Sequence, residues 1–171
     1  MHPEDQGVQY SKHRYHVIPR VLCFVLHRDR VLLIKRAATK RLWPHRYNGL
    51  GGHVEPDEDV YTAAVREIQE ESGVPVTNVR LRGVINIHTG DPVGVMLFVF
   101  LGDALTTTTV ASEEGTLEWI PIEQLSEYDL VEDVAVILPR ALEEDARGGI
   151  FFAHYEFDAE GNLIITWPVV K

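Results

Sequence analysis

Gly52-His53-Val54-Glu55-Pro56-Asp57-Glu58 leads into Asp59-Val60-Tyr61-Thr62-Ala63-Ala64-Val65-Arg66-Glu67-Ile68-Gln69-Glu70-Glu71-Ser72, and Gly73-Val74-Pro75 follows. The middle stretch is built from good helix formers, and a glycine followed two residues later by proline is a stop signal, so a helix is expected over residues 59–72. At roughly 100° per residue, Glu67, Glu70 and Glu71 fall within an arc of about 100°, with Ala64, Val65, Ile68 and Ser72 on the arc beside it. One flank of the helix can therefore bury itself while three carboxylates line its edge. Only Glu70 has a basic residue four positions away, Arg66; Glu67 has Ala63 and Glu71 there, so the negative charge is under-compensated. Two readings stay open at this point. A hard cation such as magnesium would relieve the repulsion through carboxylate oxygens, or the acids form a solvated face.

Upstream, Asn48-Gly49-Leu50-Gly51-Gly52 supplies three glycines, which permit backbone geometries and close approaches denied to other residues. Residues 17–27 are dense in Val, Leu, Ile and Phe, Asp29 and Arg30 interrupt, and residues 31–34 resume, which reads as a hairpin. Downstream, strands are expected over residues 79–89 and 95–101, joined through Gly90-Asp91-Pro92, and a short one over 117–120. A second helix is expected over residues 131–147, ended by Gly148-Gly149, and a last pair of strands over 151–157 and 163–169. Strands grouped around two helices imply an α/β (α+β) fold with helices packed on a mixed sheet.

The chain has 171 residues, 45% of them apolar and 25% charged, with no apolar run near the roughly 18 that cross a membrane. No repeat, low-complexity tract or composition break divides it, so residues 1–171 are expected to form one domain, with 1–15 as a flexible extension. No signal-peptide pattern opens the sequence, and a cytoplasmic protein is expected. Cys23 is the one cysteine, which excludes an intrachain disulfide framework and a cysteine-based zinc cluster; its neighbours Leu22 and Phe24 point to a structural thiol. A net charge of −10 has the wrong sign for gripping a nucleic-acid polymer, yet Lys35, Arg36, Lys40, Arg41 and Arg46 crowd the segment before the glycine loop. That local patch suits a small phosphate-bearing ligand, or else a solvated loop.

From Gly52, five residues lead to Glu58, seven more to Arg66-Glu67, and Ile68, Glu70-Glu71, Gly73 and Val74 complete a pattern that resembles the Nudix box at every position. Seven identities fixed in that spacing recur by chance about once in 10⁸ windows at average residue usage. The resemblance implies an α/β/α sandwich whose box helix presents acids to Mg²⁺ or Mn²⁺ for hydrolysis of a nucleoside diphosphate linkage. By position, Glu67, Glu70 and Glu71 match the metal ligands, the Gly51 carbonyl a further ligand, Arg66 the arginine that orients the box glutamates, and Glu58 the acid that supports the loop. Metal ions would clamp diphosphate oxygens and lower the pKa of an attacking water. The base that takes the water's proton varies in this family between a box glutamate and an acid on a later loop. Glu114, in Ser112-Glu113-Glu114-Gly115 five residues before Trp119, resembles the latter and could also bind metal; the bland reading is a glutamate in a solvated turn.

Tyr47 to His53 is similar to the segment before the box in the 8-oxo-dGTP diphosphatase branch, where the aligned Asn meets the purine edge. Asn48 is thus the first base-reading residue, with a turn-capping role as its alternative. Leu50, Gly52 and His53 are substrate-side residues of the same loop, and Lys35 is favoured over Arg36 for the outer phosphates, since alternation lets at most one serve. The likeness extends loosely over about residues 20–167. It departs at Leu130-Val131-Glu132-Asp133: Asp133 is present to read the base, but the stacking aromatic of some relatives is missing. Tyr47 or Trp43 could stack on a base instead, although packing suits either.

The expected reaction is a nucleoside triphosphate, oxidised or not, giving the monophosphate and pyrophosphate. The alternative is cleavage of ADP-ribose, a nucleotide sugar or a dinucleoside polyphosphate. A nucleotide-sensing module that no longer hydrolyses is opposed by the presence of every box acid, and an isomerase by the core position expected for Cys23. Partners implied are a small nucleotide, no nucleic-acid polymer and no membrane, with a homodimer left open.

Overall fold

Val21-Leu22-Cys23-Phe24-Val25 is buried at every position, and the reason fixes the architecture. In the computed structural model, which describes residues 14–168, this run is the middle of β1, His16–His27, a strand covered on both faces. Alternation sends Val21, Cys23 and Val25 to one core, with Ala63, Ala64 and Ile68 of the first helix. Leu22 and Phe24 point to the other, with Val134, Ile137, Leu138 and Ala141 of the second helix. The result is a sheet between helices, the expected α/β/α sandwich.

The remaining elements are β2 Arg30–Arg36, β3 Tyr47–Asn48, α1 Val60–Ser72, β4 Val76–Ile87, β5 Val93–Ala104, β6 Gly115–Pro121, a 3₁₀ helix Ile122–Glu127, α2 Val134–Arg147, β7 Phe151–Phe157 and β8 Leu163–Thr166. They form a mixed sheet in the order β3-β2-β1-β5-β4-β7-β8, with β6 on β2. β1 runs parallel to β5 and β4 parallel to β7; the other pairings are antiparallel. Among the described residues no helix is long and apolar enough to cross a membrane.

Several boundaries differ from the expectations. β4 begins at Val76 rather than residue 79, because pairing with β5 continues across a register shift between Thr77 and Arg80, where Asn78 has φ 49°. β5 and β6 are longer than their apolar cores, since backbone pairing carries polar ends along. α2 starts at Val134, not 131: the Val131 amide is taken by the Tyr47 carbonyl. β8 stops at Thr166, and residue 169 lies outside the described residues, as does most of the expected flexible extension. Tyr15, the last residue of that extension, is held instead: its hydroxyl donates to the Ile87 carbonyl at 3.0 Å and its ring meets His88 edge-on.

Candidate active site at the head of the first helix

The glycine loop is an extra strand in all but name. Cys23 and Leu50 exchange backbone hydrogen bonds, Val21 N–H donates to the Gly52 carbonyl, and Val54 N–H to the Pro19 carbonyl, so the loop runs antiparallel to β1. Gly51 has φ 142°, and a Cβ there would overlap the Val21 carbonyl. At Gly52 the demand is different: a Cβ would occupy the space of the Glu67 carboxylate. The chain then enters α1 through Asp59, whose carboxylate accepts the Tyr61 and Thr62 amides, and leaves it at Gly73 with φ 67°.

Arg66 organises the acids. Its guanidinium grips Glu58 bidentately, at 3.1 Å through Nε and 2.6 Å through Nη2, and donates to the His53 carbonyl at 3.0 Å. The remaining nitrogen, Nη1, reaches Glu67 and Glu70, each at 3.0 Å. Glu58 in turn accepts the Glu55 amide, and the Arg66 fork followed by that amide hold its carboxyl below the usual range. Glu71 is placed apart. It accepts the Gly51 amide at 2.8 Å, yet burial pushes its carboxyl up to about 7, with repulsion from Glu67 and Glu114 adding and Arg36 opposing. Among the described residues no three acids, histidines or cysteines already converge on one point, because Glu67 and Glu70 lean on Arg66 and Glu71 on the loop. The donor set nonetheless fits a hard divalent cation: it is made of carboxylates, and one of them is driven toward protonation by burial, with repulsion from acidic neighbours adding.

Glu114 approaches from the β6 side. Its carbonyl accepts the Ala37 amide and its carboxylate takes the Lys40 ammonium at 2.6 Å, while its charge is felt by Glu71. Of the adjacent basic pair, Arg36 is the one whose charge reaches Glu71. Lys35 stands over the Tyr47 ring, 5.4 Å from its centroid, on the face that α2 covers. Lys35, expected at the phosphates, thus lies on the α2 face, whereas alternation along β2 puts Arg36 with Ile34 on the α1 face.

Leu50, expected on the substrate side of the loop, is buried. Its side chain is 0% exposed in the α1-side core and its amide and carbonyl are both committed to Cys23. The His53 carbonyl is likewise occupied by Arg66, and the Gly52 carbonyl by Val21. Asn48 turns its side-chain oxygen to the Gly49 amide at 2.8 Å, the turn-capping alternative, and by register it sits opposite Ile34 on the α1 face. Asp133 lies on the α2 face with Tyr155, its carboxyl raised mainly by burial. The two segments meet through backbone: Tyr47 N–H donates to the Asp129 carbonyl, and the Tyr47 carbonyl accepts from Val131 N–H. Tyr47 is packing rather than a base platform, since it is buried against Tyr128 and its hydroxyl donates to Glu118; burial, followed by that hydrogen bond, pushes its pKa up to about 12. Trp43 is 42% exposed on the loop before β3. Leu130, where a stacking aromatic was missed, is core. Cys23 is buried with its thiol pushed up by burial, consistent with a structural role. In the sequence Arg36 and Lys40 stand out only as members of a basic patch, because only the fold brings their segment beside Glu71 and Glu114; the one further signal is the even spacing of Arg36 from Leu32 and Ile34.

The family model for the NUDIX domain matches residues 16–141 of this chain. The chain is 29% identical over 144 residues to the oxidized purine nucleoside triphosphate hydrolase of Mus musculus, an alignment covering 84% of this chain and 88% of that protein. It is 33% identical over 108 residues to an uncharacterized Nudix hydrolase of Bacillus subtilis, covering 60% and 65% respectively. Among solved structures, the MutT protein of Bacillus halodurans superposes with a TM-score of 0.73 at 23% identity, covering 86% of this chain and 94% of that one, a likeness of fold.

Proposed function

Since the chain belongs to the Nudix hydrolase family, whose members act on small nucleotides and generally use a divalent metal, we propose that it hydrolyses a purine nucleoside triphosphate to the monophosphate and pyrophosphate with Mg²⁺ or Mn²⁺. The observation that carries this reading is the Arg66 fork, which fixes Glu67 and Glu70 from one side while Glu71 is buried on the Gly51 amide. These three glutamates, with the Gly51 carbonyl and Glu114, would hold the metal. Bound there, it would supply charge neutralisation at the diphosphate oxygens and an acidified water. Arg66 orients Glu67 and Glu70, and Glu58 orients Arg66, a chain of contacts that Lys could not reproduce. Glu114 accepts the proton of the attacking water, a box glutamate being the alternative acceptor. Arg36 meets the phosphates.

The triphosphate as substrate is supported by the mouse relative, which is named for oxidised purine triphosphates and aligns over most of both chains. Asp133 is the base reader. Burial raises its carboxyl above the usual range, and a carboxyl can pair with a purine edge. Asn48 acts on the base from the glycine loop. With Leu130 in place of a stacking aromatic, preference for oxidised over standard purines is modest.

Product analysis tests this, with and without Mg²⁺, on standard and oxidised triphosphates, ADP-ribose, nucleotide sugars and diadenosine polyphosphates. Pyrophosphate released from a purine triphosphate only with metal is the expected result. Turnover confined to ADP-ribose or another linked diphosphate would overturn the assignment of Asn48 and Asp133 while leaving the chemistry of the acids in place.

A further inference from the structure

Lys40 has no part in the scheme above, yet it makes a short ion pair with the residue assigned as proton acceptor: Nζ lies 2.6 Å from Glu114 Oε1. We propose that Lys40 is a positioning residue that holds the Glu114 carboxylate away from the acid helix until the phosphates of a nucleotide take over its ammonium. The inference rests on the reading of Glu114 as a metal-binding and proton-accepting residue.

The backbones on both sides of the pair are fixed, so the exchange involves side chains alone. The Ala37 amide donates to the Glu114 carbonyl at 2.9 Å, and Lys40 N–H closes a turn on the Ala37 carbonyl. Gly115 lets β6 approach β2 so closely that a Cβ there would overlap the Lys35 carbonyl. The side chains are freer, with Lys40 28% and Glu114 38% exposed. Glu114 and Glu71 repel one another, so without added positive charge Coulomb's law favours Glu114 on Lys40 rather than nearer the helix. A triphosphate changes that balance. It carries several negative charges to one ammonium, and a lysine is a flexible point charge able to follow them. Arg36 flanks the same approach, with its Nε already bound to the Leu42 carbonyl. Reciprocity then requires that releasing Glu114 strengthen cation binding, since the pair competes with it.

Two binding measurements on the full chain test this without turnover: Mn²⁺ affinity by electron paramagnetic resonance without nucleotide, and affinity for α,β-methylene dGTP in EDTA. Lys40→Met is expected to tighten Mn²⁺ binding about two- to fivefold, the range of a half-exposed ion pair, and to weaken analogue binding. The tightening should vanish when Glu114→Gln is present, and Arg41→Met, an equal loss of charge on an exposed neighbour, should not reproduce it. Unchanged Mn²⁺ affinity in Lys40→Met, a gain that survives Glu114→Gln, or unchanged analogue binding would each overturn the proposal. If Glu114→Gln alone leaves Mn²⁺ affinity unaltered, the assignment of Glu114 itself fails and the inference falls with it.

Discussion

Two adjacent glycines at the mouth of the site do different work, and substitution separates them. Gly51→Ala forces a β-carbon into the Val21 carbonyl at a φ of 142°, so it should destabilise the fold itself. At Gly52 the atoms in the way belong to the carboxylate end of a long side chain, Glu67, and not to backbone. Gly52→Ala should therefore fold with a near-normal denaturation midpoint and lose turnover and Mn²⁺ affinity; a variant that is fully active would show that Glu67 is not where the chemistry needs it. Arg66 makes five hydrogen bonds to Glu58, Glu67, Glu70 and the His53 carbonyl. A lysine has one nitrogen for all of these, so Arg66→Lys should lower kcat/KM by about 10- to 100-fold. Retained activity would mean the glutamates orient themselves. The acids and Arg66 were legible in the sequence because their spacing is that of a single helix. Arg36 and Lys40 were legible only as members of a basic patch, because their proximity to Glu71 and Glu114 depends on strand alternation and on β6 returning to β2.

α1 was the most readable element, and its ends explain why. Asp59 and Gly73 cap it through local contacts that any sequence window of that length contains. Asp59→Ala should cost about 1 kcal/mol in urea denaturation with the m-value unchanged; no change in midpoint would remove the cap from the account. β1 was equally plain, as an apolar run covered on both faces must be. β3 was invisible. Tyr47–Asn48 is two residues long and exists only because Ile34-Lys35 pairs with it on one side while the Asp129–Val131 backbone meets it on the other. That short strand also turns Tyr47 into the core and Asn48 to the opposite face. Leu50 was misplaced for the same reason, since its burial follows from pairing with Cys23, a contact far away in sequence.

For the whole molecule, a chain of net charge −10 also buries one acid, Glu71, whose protonation couples to folding. Its carboxyl titrates near 7 in the fold against an ordinary 4.5, so the folded chain holds this proton more tightly than the unfolded one. The stabilisation is complete below 4.5 and is lost as pH rises through about 7, by about 3 kcal/mol. Urea denaturation in EDTA should accordingly show falling stability between these limits. Mg²⁺ should restore it most strongly at the upper end, and Glu71→Gln should flatten the profile. A metal-free stability that rises over this interval would contradict the burial assigned to Glu71.

The most direct test of the central claim, that the acids of α1 carry metal-dependent phosphoanhydride hydrolysis, is the turnover of Glu70→Gln on the best triphosphate across a Mg²⁺ titration. Glu70 is the most exposed of the three, with 59% of its side chain accessible, and the substitution removes charge without changing size, so the fold should be unperturbed. The account predicts a fall in kcat on the order of 10² or more at every Mg²⁺ concentration, with circular dichroism and melting temperature unchanged. Wild-type turnover in that variant would place the metal, and with it the reaction, somewhere else on the molecule.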